Sequence, residues 1–354
     1  MRQTGNLAHV IADECVLCGQ CYVVCPQDAQ KILSEVEKVE MLLEGDRPVY
    51  LSVDPSFVAY YDGTGIEAMS ETAKELGFVS AEETSPFGVV VKREYEDVIK
   101  DERMSVVISS CCPSVNLMIQ KHYPDLIGNL SNAMSPVQIH CADIRKREPE
   151  AKIVYVGPCI ARKDEANRHG STVDAVLTYE EFDELLIAHS LEIHKGADEC
   201  KQSKERLFAT AGGIIRCMDK KSAGYAYLTV DGPDKCIDAL EDIANGEMEQ
   251  CFIEMWACSG GCVGGPTIEK LHNNPVRNYK AVSRYAGDEH FDIEQPELGE
   301  ITRSFEIMKG MMPMPNERKI REIMANMGKT RPADELNCGM CGYDTCREKA
   351  IAVY

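Results

Sequence analysis

The sequence predicts an α/β fold with mainly parallel sheets flanked by helices, preceded by a small cysteine-rich segment. Short β-rich runs bounded by turn residues predict the strands: "VYLSVDPS", "MSVVISSCCP", "AKIVYVGPC", "VDAVLTY" and "QCFIEMWAC". Amphipathic stretches such as "GIEAMSETAKELGF" and "EEFDELLIAHSLEI" lie between them, an alternation that makes parallel strands with helices covering their faces. Three of the strands end in cysteine: "VVISSCC", "IVYVGPC" and "FIEMWAC". In open α/β sheets ligands bind beyond the carboxyl ends of the strands, so these cysteines can converge on one point.

In chain order, residues 1–45 hold "CVLCGQCYVVCP" and a helical pattern, "DAQKILSEVEKVEMLLEG", while "TGNLAHVIADE" in front reads as a hairpin. Residues 46–332 carry the α/β pattern. Their last part, 301–328, reads as helical with a break at two prolines, and its methionines read as core packing. A final cysteine-rich piece spans 333–354. The 38 Lys and Arg against 58 Asp and Glu leave a formal charge of -20, which argues against nucleic acid or an anionic membrane as partner. No apolar window reaches the length of a membrane span, and no secretory leader is visible, so a soluble, cytoplasmic protein is expected. Seventeen cysteines in such a chain point to metal chemistry in a reducing compartment rather than to a disulfide scaffold.

Spacing sorts the cysteines. Cys15, Cys18, Cys21 and Cys25 form C-x2-C-x2-C-x3-C-P, the bacterial ferredoxin run that wraps a 4Fe-4S cubane. Either Cys25 closes this cluster, or a preceding half is missing and Cys25 serves another. Cys112, Cys159, Cys258 and Cys262 are four thiols from three strand ends. Soft thiolates in fours suit zinc or a 4Fe-4S cluster, but zinc more usually draws on paired C-x2-C knuckles. Glycines at 260, 261, 264 and 265 let the backbone approach a bulky inorganic group. Cys338, Cys341 and Cys346 look like the start of a further iron–sulfur module, whose fourth cysteine is expected beyond Tyr354. Adjacent Cys111 and Cys112 should point to opposite sides of an extended chain and so do different jobs.

"SSCCPSV", "GPCIARKDEA" and "EMWACSGGCVGGP" resemble, in order, the three signature motifs of the iron-only (FeFe) hydrogenases, and the resemblance spans about residues 8–330. It implies a two-lobed domain housing an H-cluster, a 4Fe-4S cubane joined through one cysteine to a diiron unit with carbon monoxide, cyanide and a bridging dithiolate amine. By position, Cys112, Cys159 and Cys258 would ligate the cubane and Cys262 would bridge it to the diiron unit. Cys111 would relay protons to the bridging amine. Ser131 would come next, then an acid, with Glu94 the nearest by count and Glu96 and Asp97 beside it. The implied reaction is 2H+ + 2e- ⇌ H2, with the N-terminal cluster supplying electrons from a ferredoxin-like or signalling partner.

The departures matter as much. Arg162 stands where the family has the lysine that holds a cyanide, with Lys163 next, so either cation can face the cluster. Gly157 and Trp256 replace two methionines, Val137 replaces a common glutamine, and "SVDPS" places Asp54 before the expected Pro55 and Ser56. Altered surroundings with intact ligands resemble the sensory branches, so slow turnover and H2 sensing are expected. The alternative is an iron–sulfur assembly or electron-transfer protein with cubanes and no diiron unit.

Blander readings cover the rest. Cys141, Cys200, Cys217, Cys236 and Cys251 read as buried packing. His140 reads as helix surface or core, Glu254 as a structural hydrogen-bond acceptor, and Trp256 as either core or cluster contact. "KREYEDVIKDER" reads mostly as solvated helix face.

Overall fold

A computed structural model describes all residues except 1, 5–6, 102–103, 169–171, 197, 199–202, 273, 309–316, 344 and 354. Cys200 and most of the methionine-rich stretch lie outside the described residues. The chain forms two compact units.

The smaller unit comprises Met1–Cys15 and Met308–Tyr354. It opens with an antiparallel hairpin of β1 (Arg2–Thr4) and β2 (Leu7–His9). Helices Glu317–Asn326 and Cys346–Val353 close a small core of Ile320, Ile323, Met324 and Ala350.

The larger unit, Val16–Ile307, holds two all-parallel sheets. The first joins β3 (Val49–Val53), β4 (Ser80–Glu83), β6 (Lys152–Gly157) and β7 (Ala175–Thr178) in the order β4-β3-β6-β7. The second joins β5 (Val106–Ile108), β8 (Ala226–Asp231) and β9 (Cys251–Trp256) in the order β5-β9-β8. The five expected strands are all present, and β4 and β8 are additions. Both are edge strands: β4 is "SAEE", without a β-branched residue, and β8 is largely exposed, so neither carries a buried apolar run. The helix expected across 28–45 shortens to Val36–Leu43, because Asp28 takes a positive φ of 48° and Leu33 faces solvent. The helix expected from 301 to the prolines does not form among the described residues: helix ends at Ile301, and Thr302 and Arg303 instead pair with Ala133 and Asn132, while Glu317–Asn326 is helical beyond the prolines.

Each sheet carries its own core, and Cys262 packs against both. In the first sheet Val53 pairs with Val156, so the carboxyl ends of β3 and β6 lie side by side. In the second, Ile108 pairs with Ile253, which aligns the ends of β5 and β9. These ends deliver Asp54, Cys159, Cys111, Cys112 and Cys258 to one place.

Candidate metal centre

Four of the predicted ligands line one small cavity: Cys112, Cys159, Cys258 and Cys262, with Gly261 and Gly265 in its wall. Cys112 holds the N-cap position of helix Pro113–His122, where Pro113 sits at the first turn without needing an N–H donor. Cys258 and Cys262 are joined by a tight loop that glycine makes possible. A Cβ at Gly264 would lie 1.9 Å from the Ser259 carbonyl oxygen, and Gly261 takes φ 84°.

A second small cavity adjoins the first, lined by Asp54, Pro55, Val137, Phe208 and others. Cys111, Arg162, Trp256 and Cys262 line both cavities, whereas Cys112 lines only the first. The adjacent cysteines share the first cavity, and only Cys111 also reaches the second. A thiol set of four wraps the first cavity and one member, Cys262, continues into the second. This donor set fits a cubane with a second group attached through Cys262.

Burial dominates the electrostatics. It pushes the Cys159 thiol up to about 12 and raises Cys258 and Cys262 well above the ordinary range; neighbouring thiols add to Cys258, and Asp54 adds to Cys262. Buried thiols crowded in this way favour a bound cation that deprotonates them. Burial likewise pushes Cys111 up to about 12, opposed by the Tyr95 hydroxyl and the Arg162 charge.

The two candidate cations part company. Arg162 is buried and faces both cavities: its Nη2 donates to the Cys111 carbonyl at 2.9 Å and its Nη1 to Ser135 Oγ at 2.8 Å, and it pairs with Glu165. Lys163 points elsewhere, donating to Glu181 Oε1 at 2.8 Å and the Val176 carbonyl at 2.7 Å. Of the other predicted contacts, Pro55 lines the second cavity, while Ser56 Oγ donates to Asp54 Oδ1 at 2.6 Å. Gly157 leaves room for the Tyr155 hydroxyl. Trp256 is both core and cavity wall, its indole N–H donating to Glu254 Oε1 at 2.7 Å. Glu254 also accepts from Ile215 N at 2.9 Å, as a structural acceptor should.

Ser131 is pinned to the end of β5 by its N–H donating to the Ile108 carbonyl at 2.9 Å. It lines a surface cleft together with Glu94, whose carboxyl is raised by burial and by Asp97. The hydrogen-bond partner of the Cys111 thiol is Tyr95, at 3.2 Å. Sequence reading missed it because Tyr95 lies inside "KREYEDVIKDER". That segment is not a solvated face, since Lys92, Tyr95, Glu96 and Ile99 are buried. Lys92 Nζ pairs with Asp219 at 2.6 Å and Glu96 Oε1 accepts from Asp219 N at 2.7 Å, so the buried charges are matched. The signal was there in Val91, Tyr95 and Ile99, an i, i+4, i+8 stripe on one helix face.

Cys18, Cys21 and Cys25 lie in the larger unit around the short helix Gln20–Val23. Cys18 packs against the core that contains Cys112 and contributes to raising Cys258. Backbone N–H groups of Ala29 and Gln27 lower the Cys25 thiol. Cys15 belongs to the smaller unit, as do exposed Cys338 and Cys341 and half-buried Cys346. Cys141, Cys217, Cys236 and Cys251 are buried, and His140 is a core residue bonded to Ser52 Oγ at 2.9 Å. Among the described residues no group of three or more His, Cys, Asp or Glu is arranged to hold a single metal ion. Among them, too, no helix is long and apolar enough to cross a membrane.

The family model for the C-terminal domain of the iron only hydrogenase large subunit matches residues 47–266, more than half of the chain. The chain belongs to the iron-only hydrogenase family. A 4Fe-4S binding domain matches residues 8–31 and a short Fe-S cluster module matches 334–354, so this hydrogenase-like protein is an iron–sulfur protein with 4Fe-4S sites. Iron hydrogenase 1 of Clostridium pasteurianum is 24% identical over 276 residues, 62% of this chain and 48% of that one. The NADP-reducing hydrogenase subunit HndD of Solidesulfovibrio fructosivorans is 25% identical over 334 residues, 73% of this chain and 56% of that one. A cytosolic Fe-S cluster assembly factor, NAR1 of Encephalitozoon cuniculi, is 26% identical over 196 residues, 47% of this chain and 53% of that one. The chain spans about half the length of these curated relatives. A variant of FeFe-hydrogenase HydA1 from Chlamydomonas reinhardtii shares the fold, with a TM-score of 0.55 at 18% identity over 74% of this chain and 91% of that one.

Proposed function

We propose that Cys112, Cys159, Cys258 and Cys262 hold a 4Fe-4S cubane and that Cys262 bridges it to a diiron unit in the second cavity. The protein would then interconvert protons and electrons with H2, slowly, in the service of H2 sensing. The observation that carries this reading is the pair of adjoining cavities sharing Cys262, with a buried thiol and a buried cation on both. When bound, such a group supplies an open metal position for H2 and a basic amine beside it. The chain's own residues do the rest. Cys111 presents its thiol to the second cavity and can pass a proton at Sγ. Arg162, pinned by Glu165, offers donors to an anionic ligand there. Val137, Phe208 and Trp256 keep bulk water out. The Ser131–Glu94 cleft is the route by which protons reach solvent, and Cys18, beside the Cys258 loop, marks the side from which electrons arrive. The electron partner is a small redox or signalling protein.

The similarity to NAR1 supports a second reading, an iron–sulfur assembly protein with cubanes alone. Infrared spectroscopy of chain matured with a synthetic diiron complex separates the two. The first reading expects CO and CN stretches that respond to H2; a matured chain without such bands, yet with iron and sulfide at cubane stoichiometry, is the result the second expects.

A further inference from the structure

Asp54 is a buried carboxylate, 5% exposed, in the wall of the second cavity. Its Oδ1 accepts from the Ser56 N–H at 2.9 Å and Oγ–H at 2.6 Å, and its Oδ2 accepts from the Tyr155 hydroxyl at 2.9 Å. Among the described residues both oxygens face donors and neither faces an acceptor. Among the described residues Asp54 has no ion-pair partner, and Arg162, on the same cavity, is engaged with Glu165. A buried, unpaired carboxylate is costly, and an asparagine would fill the same space without that cost. The fold nevertheless makes room for it. Tyr155 and Gly157 share one face of β6, and a Cβ at Gly157 would lie 2.4 Å from the Tyr155 hydroxyl and 3.0 Å from Asp54 Cβ. Glycine at 157 is thus what admits the Tyr155–Asp54 pair, and Asp54 in turn is among the charges acting on Cys262.

We propose that Asp54 is a fixed negative charge that holds down the reduction potential of the group bound at Cys262 and enriches its metals in electron density. This rests on the reading above. An electron added beside a fixed negative charge is disfavoured, so neutralising the charge makes reduction easier. Tyr155 and Ser56 act as positioning residues that hold the carboxylate in the cavity wall.

The test is an infrared-monitored redox titration of the full chain matured with a synthetic diiron complex, as wild type, Asp54→Asn and Asp54→Glu. Asp54→Asn is expected to raise the reduction equilibrium constant about tenfold, about 59 mV for a one-electron couple, and to move the CO stretches to higher wavenumber. Asp54→Glu, which keeps the charge, should stay within about threefold of wild type, because the field survives a small displacement. If the Asn variant does not accumulate, Asp54→Ser, which keeps a hydroxyl for Tyr155, carries the same expectation. A neutral variant that titrates like wild type, or a Glu variant that shifts as far as Asn, overturns the proposal while leaving the site reading intact. Wild-type chain that shows no CO bands overturns the site reading instead.

Discussion

The Arg162–Glu165 pair should make the folded chain acid-sensitive through one identifiable carboxylate. Glu165 is 3% exposed, and burial alone would raise its pKa, but Arg162 and Arg303 outweigh that and hold it down at about 2 from the ordinary 4.5. A carboxylate depressed in the folded state contributes stability that is present above its unfolded pKa and lost as pH falls through the folded one. The difference corresponds to about 3 kcal/mol at pH 7, falling to about 1 kcal/mol by pH 3. The first figure falls within the roughly 3–5 kcal/mol typical of removing one partner of a buried pair. Glu165→Gln should therefore lower the urea-unfolding free energy of cluster-free chain by about 3 kcal/mol at pH 7 and by clearly less at pH 3. A penalty equal at both pH values would refute the charge argument and leave packing as the cause. A penalty below about 1 kcal/mol at pH 7 would show that neutral acceptors satisfy both arginines and that the ion pairs add little.

The remaining predictions concern the thiols. Cys111→Ala should keep the CO and CN bands of matured protein while lowering H2 turnover by about 100-fold or more, since it removes a proton donor but no ligand; unchanged turnover would mean that protons enter elsewhere. Tyr95→Phe removes the hydroxyl bonded to Cys111, and a net hydrogen bond of about 1 kcal/mol sets an expected loss of roughly fivefold in turnover with the bands in place. A Cys258→Ala chain, reconstituted with iron and sulfide, should bind about four fewer iron atoms than wild type. Equal iron content in the two would remove Cys258 from the ligand set.

The strand ends and the thiols they carry were legible in one dimension. "VVISSCC", "IVYVGPC" and "FIEMWAC" announced three cysteine-tipped strands, because buried parallel strands are short apolar runs and their ends are turns. The sequence also implied that Cys111 and Cys112 part ways, because extended chains alternate. What it left open depended on partners distant in sequence. Whether Arg162 or Lys163 faces the cavities was decided by Glu181, which draws Lys163 toward β7, and by Glu165, itself paired with Arg303, which holds Arg162 where it is. Tyr95 looked like part of a charged surface helix until Asp219 and Glu205 supplied counter-charges for Lys92. Strand β4, "SAEE", has no β-branched residue to announce it, and β8, "AYLTVD", is β-rich but largely exposed and lacks the buried run that marked the other strands. Asp54 stood out in one dimension only as an unexpected acid. The register of β3 against β6 sets it beside Tyr155 and Gly157, since strand pairing joins residues a hundred positions apart, and no local pattern encodes that pairing.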